Sequence, residues 1–244
     1  MKYLVANWKM NLINSKNWIN DFNDNFNDLS LNDDLTIVIC PSYLQLSEFS
    51  QNHLSKINFS IGAQNVSENN SGAFTGEISA EHLTEFSEVS YCIVGHSERR
   101  SAGETDAMIK AKVKQLLTKN ITPIICIGES REIQEKGETE KFLISQLNSI
   151  VNDENLNIDS CILAYEPLWA IGKGVPADLK TINNSISYIT KILDLNKSNL
   201  KILYGGSVDK ENSREILSAD NVSGLLVGNS SLDGKEFANI AKKF

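Results

Sequence analysis

A closed (β/α)8 barrel, eight parallel strands surrounded by helices, is the fold this sequence predicts, and three observations predict it. Eight short runs of apolar and β-branched residues recur along the 244 residues. Stretches with helical periodicity separate them. The runs TIVIC, YCIVG, PIICIG and GLLVG are apolar almost without a break, the pattern of strands covered on both faces, as parallel strands flanked by helices are.

In order, the runs occupy residues 3–8, 35–40, 59–63, 89–95, 121–128, 161–165, 200–205 and 222–228. Among the intervening stretches, DAMIKAKVKQLLTK at 106–119 and LKTINNSISYITKIL at 179–193 return apolar residues at helical spacing. The structural rival is an open, doubly wound sheet. That fold usually carries a glycine-rich turn after its first strand, where this chain has NWKMN and no glycine. Nothing in composition or complexity interrupts the series, so residues 1–244 are expected to form one barrel domain.

With 41% hydrophobic and 22% charged residues the chain can bury a large core. Its formal net charge of -8, without a block of Lys or Arg, argues against nucleic acid or an anionic membrane as partner. A small anion could bind only where Lys9 or a set of backbone N–H donors reverses the local potential. Cys40, Cys92, Cys126 and Cys161 lie far apart at the ends or middles of apolar runs and read as buried, reduced thiols. With no CxxC pair, and with His53, His82 and His96 as the histidines, no metal site is expected. His53 and His82, in helical stretches, read as satisfied core residues. The opening MKYLVANWKMN is too short in apolar residues for a secretion signal or a span, so a cytoplasmic location is expected.

In a parallel barrel the C-terminal strand ends share one face, where the active site belongs. Those ends carry Asn7 and Lys9, Gln64 and Asn65, His96 and Glu98, Glu129, Glu166, Gly205-Gly206-Ser207, and Gly228-Asn229. Taken singly, Lys9 is a solvated lysine and Glu166 a salt-bridge partner; their convergence on one pole makes them candidates for catalysis. Glu166, directly after a buried strand and before Pro167, is held at the barrel mouth and partly desolvated, which suits a base that takes a proton from carbon. His96 opens HSERR, where Ser97 and Glu98 suit the start of a short helix. A helix N-terminus disfavours the imidazolium, so a neutral ring could donate to a carbonyl oxygen becoming negative.

Two segments, YGGSV at 204–208 and LVGNS at 226–230, each follow a strand and suit an anion held by backbone donors. A third has the composition of a lid with stiff ends and a glycine-bearing tip. It runs from Pro167, Leu168, Trp169, Ala170 and Ile171 through Gly172, Lys173 and Gly174 to Val175, Pro176 and Ala177.

The motifs NWKMN, AQN, GAFTGEIS, VGHSERR, CIGE, AYEPLWAIGKG, YGGSV and LLVG span nearly the whole chain and resemble the triosephosphate isomerase family. That resemblance implies a cofactor-free isomerase in which Glu166 shuttles a proton between two carbons of a triose phosphate through an enediol. His96 would serve as the neutral electrophile, Lys9 as the fixed cation and Asn7 as a donor to the developing oxyanion, with Glu98 ordering Lys9. Backbone N–H groups of Gly172, Ser207, Gly228 and Asn229 would hold the phosphate. Lid closure over Trp169 and Ile171 would exclude water, as it does in that family. It also implies a homodimer in which the loop at 65–77, with Phe74, Thr75, Gly76 and Glu77 at its tip, inserts beside the partner's site, Thr75 next to Asn7 and Lys9.

Three departures from the family's pattern stand out. Asn229 replaces a second glycine after LLVG, Lys173 replaces a threonine at the lid tip, and Val175-Pro176-Ala177 replaces a polar hinge. Asparagine tolerates left-handed backbone angles better than most residues, so phosphate binding is expected to survive the replacement by Asn229. The rival readings are another phosphate-binding barrel enzyme, with a different base, and a catalytically silent phosphate-binding or surface-adhesion barrel.

Overall fold

The strands are β1 (Lys2–Asn7), β2 (Leu35–Cys40), β3 (Ser60–Ala63), β4 (Val89–Val94), β5 (Thr122–Ile127), β6 (Ile162–Tyr165), β7 (Lys201–Tyr204) and β8 (Val222–Val227). In this computed structural model, which describes residues 1–26, 34–52, 59–151, 156–171, 176–195 and 200–244, each strand pairs with the next and β8 returns to β1. Every pairing is parallel, so the sheet closes into the barrel the sequence predicts. β1 aligns with β2 from Lys2 opposite Leu35 to Asn7 opposite Cys40, and with β8 from Tyr3 opposite Gly224 to Ala6 opposite Val227.

The helices among the described residues are α1 (Ser15–Asn25), α2 (Tyr43–Asn52), α3 (Ala80–Phe86), α4 (Ser97–Ser101), α5 (Asp106–Thr118), α6 (Arg131–Glu135), α7 (Thr139–Val151), α8 (Leu179–Leu195), α9 (Ser213–Leu217) and α10 (Gly234–Ala241). The two stretches read as helical at 106–119 and 179–193 are α5 and α8. Thr105 fixes the start of α5 by accepting the Met108 N–H. No helix of the described residues is long and apolar enough to cross a membrane.

The unbroken apolarity of the strands has a direct cause. Successive side chains point to opposite faces of a strand, and here both faces are buried. On β1, Tyr3 and Val5 join the barrel interior with Val38, Ile93, Ile124, Ile162 and Leu203. Leu4 and Ala6 face the layer between sheet and helices. That outer layer contains an aromatic cluster in which Trp18 contacts Trp8, Phe22, Phe49, Phe59 and Phe237, and its indole N–H donates to the Ser231 carbonyl at 2.9 Å. The four cysteines are buried and free, and burial raises every one of their thiol pKa values.

His82 departs from the expectation. It is exposed on α3, where it forms a reciprocal cap with Ser79, because the first turn of a helix leaves backbone N–H groups that a nearby side chain satisfies. His53 lies outside the described residues.

Candidate active site

At the C-terminal pole of the strands a cleft of about 430 Å³ is lined by Asn7, Lys9, His96, Glu166, Ser207, Gly228 and Asn229, with Ile171 at its edge. Seven candidates from five separate strand ends therefore share one cavity. Glu98 stands beside it through its contact with Lys9.

The chain leaves β4 through Gly95, whose φ of 68° places it in the left-handed region that favours glycine. That turn sets His96 as the N-cap of α4, where its Nδ1 accepts the Glu98 N–H at 3.2 Å. With Nδ1 committed as an acceptor, the hydrogen-bond pattern assigns the ring proton to Nε2, which lies 3.1 Å from Glu166 Oε1. The helix start expected after His96 is present, and the ring itself caps it.

Glu166 follows β6, and its N–H donates to the Ile127 carbonyl at 2.7 Å. A Cβ on Gly128 would fall 1.8 Å from the Glu166 carbonyl oxygen, so only glycine lets the end of β5 come this close. The carboxylate is 2% exposed, and its Oε2 accepts the Ser97 N–H at 3.0 Å. Burial raises its pKa above the usual glutamate value. His96, the Ser97 N–H, Lys9 and Cys126 pull it back without cancelling that effect. The result is a carboxylate more basic than one in water.

Lys9 has a φ of 52°, and the other non-glycine residues in that region among the described ones are both asparagines, Asn120 and Asn221. For a lysine this backbone costs roughly 1–2 kcal/mol and persists only where its surroundings enforce it. Its N–H donates to Asn7 Oδ1 at 3.0 Å, its carbonyl accepts from Gln64 at 2.8 Å, and its ammonium sits 2.7 Å from Glu98 Oε1. Across the cleft the nearest side-chain atom to a Cβ built on Gly228 would be Lys9 Cε, at 3.4 Å.

The segments read as anion cradles open onto this cleft. Ser207 Oγ donates to the Ala170 carbonyl at 2.6 Å and Ser230 Oγ to that of Val208 at 2.8 Å, so both side chains are spent on the frame. Asn229 begins a 3-10 turn, Asn229–Ser231, and does not have a positive φ. Its backbone makes no demand for the left-handed region, so an asparagine fits there without strain. Among the described residues no group of three His, Cys, Asp or Glu side chains is arranged to hold a metal ion.

At the start of the segment read as a lid, Leu168–Ala170 form a 3-10 turn after Pro167. Trp169 is partly buried against the core, and its indole N–H donates to Glu129 Oε1 at 2.9 Å. The Tyr165 hydroxyl donates to the same oxygen at 3.1 Å, and the Leu168 N–H to the Glu129 carbonyl at 3.1 Å. Burial raises the Glu129 pKa, while the bonds from Trp169, the backbone and Tyr165 lower it. After the lid, the Ala177 N–H donates to the Tyr204 hydroxyl at 3.0 Å. Gly172, Lys173, Gly174 and Val175 lie outside the described residues.

Sequence reasoning missed Arg100. Its guanidinium donates to the Gly95 carbonyl at 2.8 Å and the Cys126 carbonyl at 3.1 Å and pairs with Asp106 at 2.6 Å, tying the turn before His96 to β5. Two arginines stand side by side in HSERR, and nothing local says which one turns inward. Glu129 and Gln64 were visible as strand-end residues, without a sign of what they hold.

The loop at 65–77 carries Phe74 at its tip, 45% exposed, between Gly72 and Gly76, both at positive φ. Met10, Leu12 and Leu44 are each more than 90% exposed. The base of the loop is held by Lys112, which donates to Asn65 Oδ1 at 2.8 Å and pairs with buried Glu104.

Comparison with known proteins agrees with this geometry. The family model described as triosephosphate isomerase matches residues 2–244. The triosephosphate isomerase of Francisella philomiragia subsp. philomiragia is 38% identical, with 98% of this chain and 95% of the relative covered. That of Mesomycoplasma hyopneumoniae is 39% identical with 98% of each covered, and that of Mycoplasmopsis pulmonis 36% identical with 96% and 94% covered. A barrel whose one polar pole gathers these residues, matched over its whole length in this way, belongs to the triosephosphate isomerase family.

Proposed function

We propose that the chain interconverts dihydroxyacetone phosphate and D-glyceraldehyde 3-phosphate, with Glu166 as the base and His96 as the electrophile. The observation that carries this reading is the pair itself. A buried carboxylate of raised basicity lies 3.1 Å from an imidazole nitrogen that bears the ring proton, in a cleft with a lysine and two backbone cradles.

Substrate entering this cleft draws Glu166 from the Ser97 N–H toward the carbon bearing the acidic hydrogen. The carboxylate takes that proton, the C–H electron pair becomes the enediol double bond, and the carbonyl oxygen takes up negative charge. His96 Nε2–H, the Lys9 ammonium and the Asn7 amide face that charge, so their contribution is greatest in the transition state. The neighbouring hydroxyl gives up its proton as the carbonyl oxygen gains one, a transfer His96 can relay by donating its Nε2 proton to the first oxygen and taking the second's. Glu166 then returns its own proton to the neighbouring carbon, so that the second oxygen becomes the new carbonyl. No electrons leave the substrate, so the chemistry calls for no cofactor. Backbone donors around Ser207, Gly228 and Asn229, with Gly172 from the lid, would hold the phosphate, and the lid from Pro167 to Ala177 would keep water from the enediol. Glu98, on the ammonium of Lys9, fixes its direction.

A coupled assay with glyceraldehyde 3-phosphate tests the proposal. Turnover that falls away in Glu166→Gln is expected; purified protein without turnover that still binds inorganic phosphate would favour the silent barrel.

The same reading extends to assembly and location. Met10, Leu12, Leu44 and Phe74 present large apolar surfaces to solvent, and a homodimer that inserts Thr75 beside the partner's Asn7 and Lys9 would cover them. Sedimentation should give a dimer for the chain and a monomer for Phe74→Asp. Free buried thiols and a phosphorylated metabolite as substrate support a cytoplasmic location, and residues 1–244 would act as one catalytic domain.

A further inference from the structure

The backbone at Lys9 is held from both sides by side chains. Asn7 Oδ1 accepts its N–H, and the Gln64 amide nitrogen, just past the end of β3, donates to its carbonyl at 2.8 Å. The same nitrogen donates to the Cys40 carbonyl at 2.9 Å, at the end of β2. Both amide hydrogens are thus spent, one on the turn that carries Lys9 and one on the neighbouring strand. Cys40 in turn accepts the Trp8 N–H at 3.1 Å, so a single carbonyl and a single amide link three successive strand ends.

That bracing coincides with the unusual conformation at Lys9, where φ is 52°. Gln64 does not line the cleft, so any influence on substrate passes through what it holds. From this juxtaposition we infer that Gln64 is a positioning residue for the isomerase reaction, keeping Lys9 in its left-handed turn and its ammonium at the substrate. The inference rests on the catalytic reading of Lys9 given above. Without the amide donor, the Lys9 carbonyl loses its partner and the residue relaxes toward ordinary negative φ, moving the ammonium away from Glu98 and the cleft.

A double-mutant cycle with Lys9 separates positioning from simple support of the fold. Gln64→Met keeps the length and removes the donor. It should lower kcat/KM by about ten- to a hundredfold, as displacement of a charged group by about an ångström does. The second readout is binding of glycerol 3-phosphate, the substrate with its carbonyl reduced, which works whatever the residual turnover. Gln64→Met should weaken that binding about tenfold when Lys9 is present and by less than about twofold in a Lys9→Met background. Equal loss in both backgrounds, or unchanged kcat/KM and affinity despite a lowered Tm, would overturn the inference. Should Gln64→Met not fold, Gln64→Asn, which keeps the amide but falls short of the Lys9 carbonyl, takes its place in the same cycle. A parent chain that neither turns over triose phosphate nor binds glycerol 3-phosphate sinks the catalytic reading and this inference with it, whereas a parent that does both while the cycle shows no coupling sinks the inference alone.

Discussion

His96 Nε2 stands 3.1 Å from Glu166 Oε1 while the other ring nitrogen accepts the Glu98 N–H at 3.2 Å. The ring cannot turn over without losing one of these contacts, so its donor edge is fixed toward the cleft. His96→Gln keeps an N–H donor but on a chain with more freedom. Its kcat in the coupled assay should fall by roughly 10²–10³, the usual loss when a donor to a developing oxyanion is removed. A variant retaining most of its turnover would take His96 out of the mechanism.

Shortening Glu166, the proposed base, should be as damaging. Glu166→Asp withdraws the carboxylate by about an ångström from a position set by Ile127 and Gly128, and turnover should drop on the order of a hundred- to a thousandfold. The raised pKa of Glu166 places the acidic limb of activity above the usual glutamate value.

Stability has the opposite dependence. Because the folded pKa is raised, the native state holds the Glu166 proton more firmly than the unfolded chain does, so this residue's contribution declines as pH rises from the ordinary value through the folded one. Glu166→Gln removes that burden. The variant should be inactive yet show a higher Tm than the parent near neutral pH, with the difference vanishing below the ordinary carboxylate pKa.

Lys112 and Glu104 form an ion pair in which neither side chain is more than 4% exposed, and Lys112 also holds Asn65 at the base of the 65–77 loop. Lys112→Met leaves the Glu104 carboxylate buried without its counter-charge and should cost about 3–5 kcal/mol in urea unfolding. Adding Glu104→Leu should restore most of that loss. Failure of the second change to restore stability would mean that the pair's hydrogen bonds outweigh its charge.

Tyr204→Phe tests the far end of the proposed lid. It removes the oxygen that accepts the Ala177 N–H and leaves the packing of the ring in place. A bond of this kind contributes about 1 kcal/mol, so kcat should fall severalfold with little change in Tm. A large fall in Tm with unchanged kcat would show the hydroxyl to be a core support alone.

Much of this was legible from residues alone, for physical reasons. A strand buried on both faces must be apolar throughout, so TIVIC and PIICIG mark β2 and β5 without any partner in view. Five of the runs extend one residue past the strand at its C-terminal side, to Trp8, Gly95, Gly128, Gly205 and Gly228, because hydropathy does not record where sheet hydrogen bonding stops. What stayed hidden depends on contacts between distant positions. Gln64 and Lys9 are 55 residues apart, and Trp169 and Glu129 are 40 apart. The burial of Trp169 and the inward turn of Arg100 follow from carbonyls and carboxylates on other elements, Glu129 past the end of β5 for the one, and Cys126 on β5 and Asp106 on α5 for the other. The exposed capping role of His82 was local and could have been read from Ser79 three residues before it.

The ammonium of Lys9 is already matched by Glu98, and an ionised Glu166 leaves these three side chains with one net negative charge, beside Asp209 at the rim. A doubly charged triose phosphate therefore approaches an aperture of its own sign on a chain of net charge -8. On these charges long-range attraction would contribute little to its diffusion, and capture would depend on donors that act at contact distance. Raising ionic strength should accordingly speed substrate association, the reverse of an enzyme that draws in its anion with exposed positive charge.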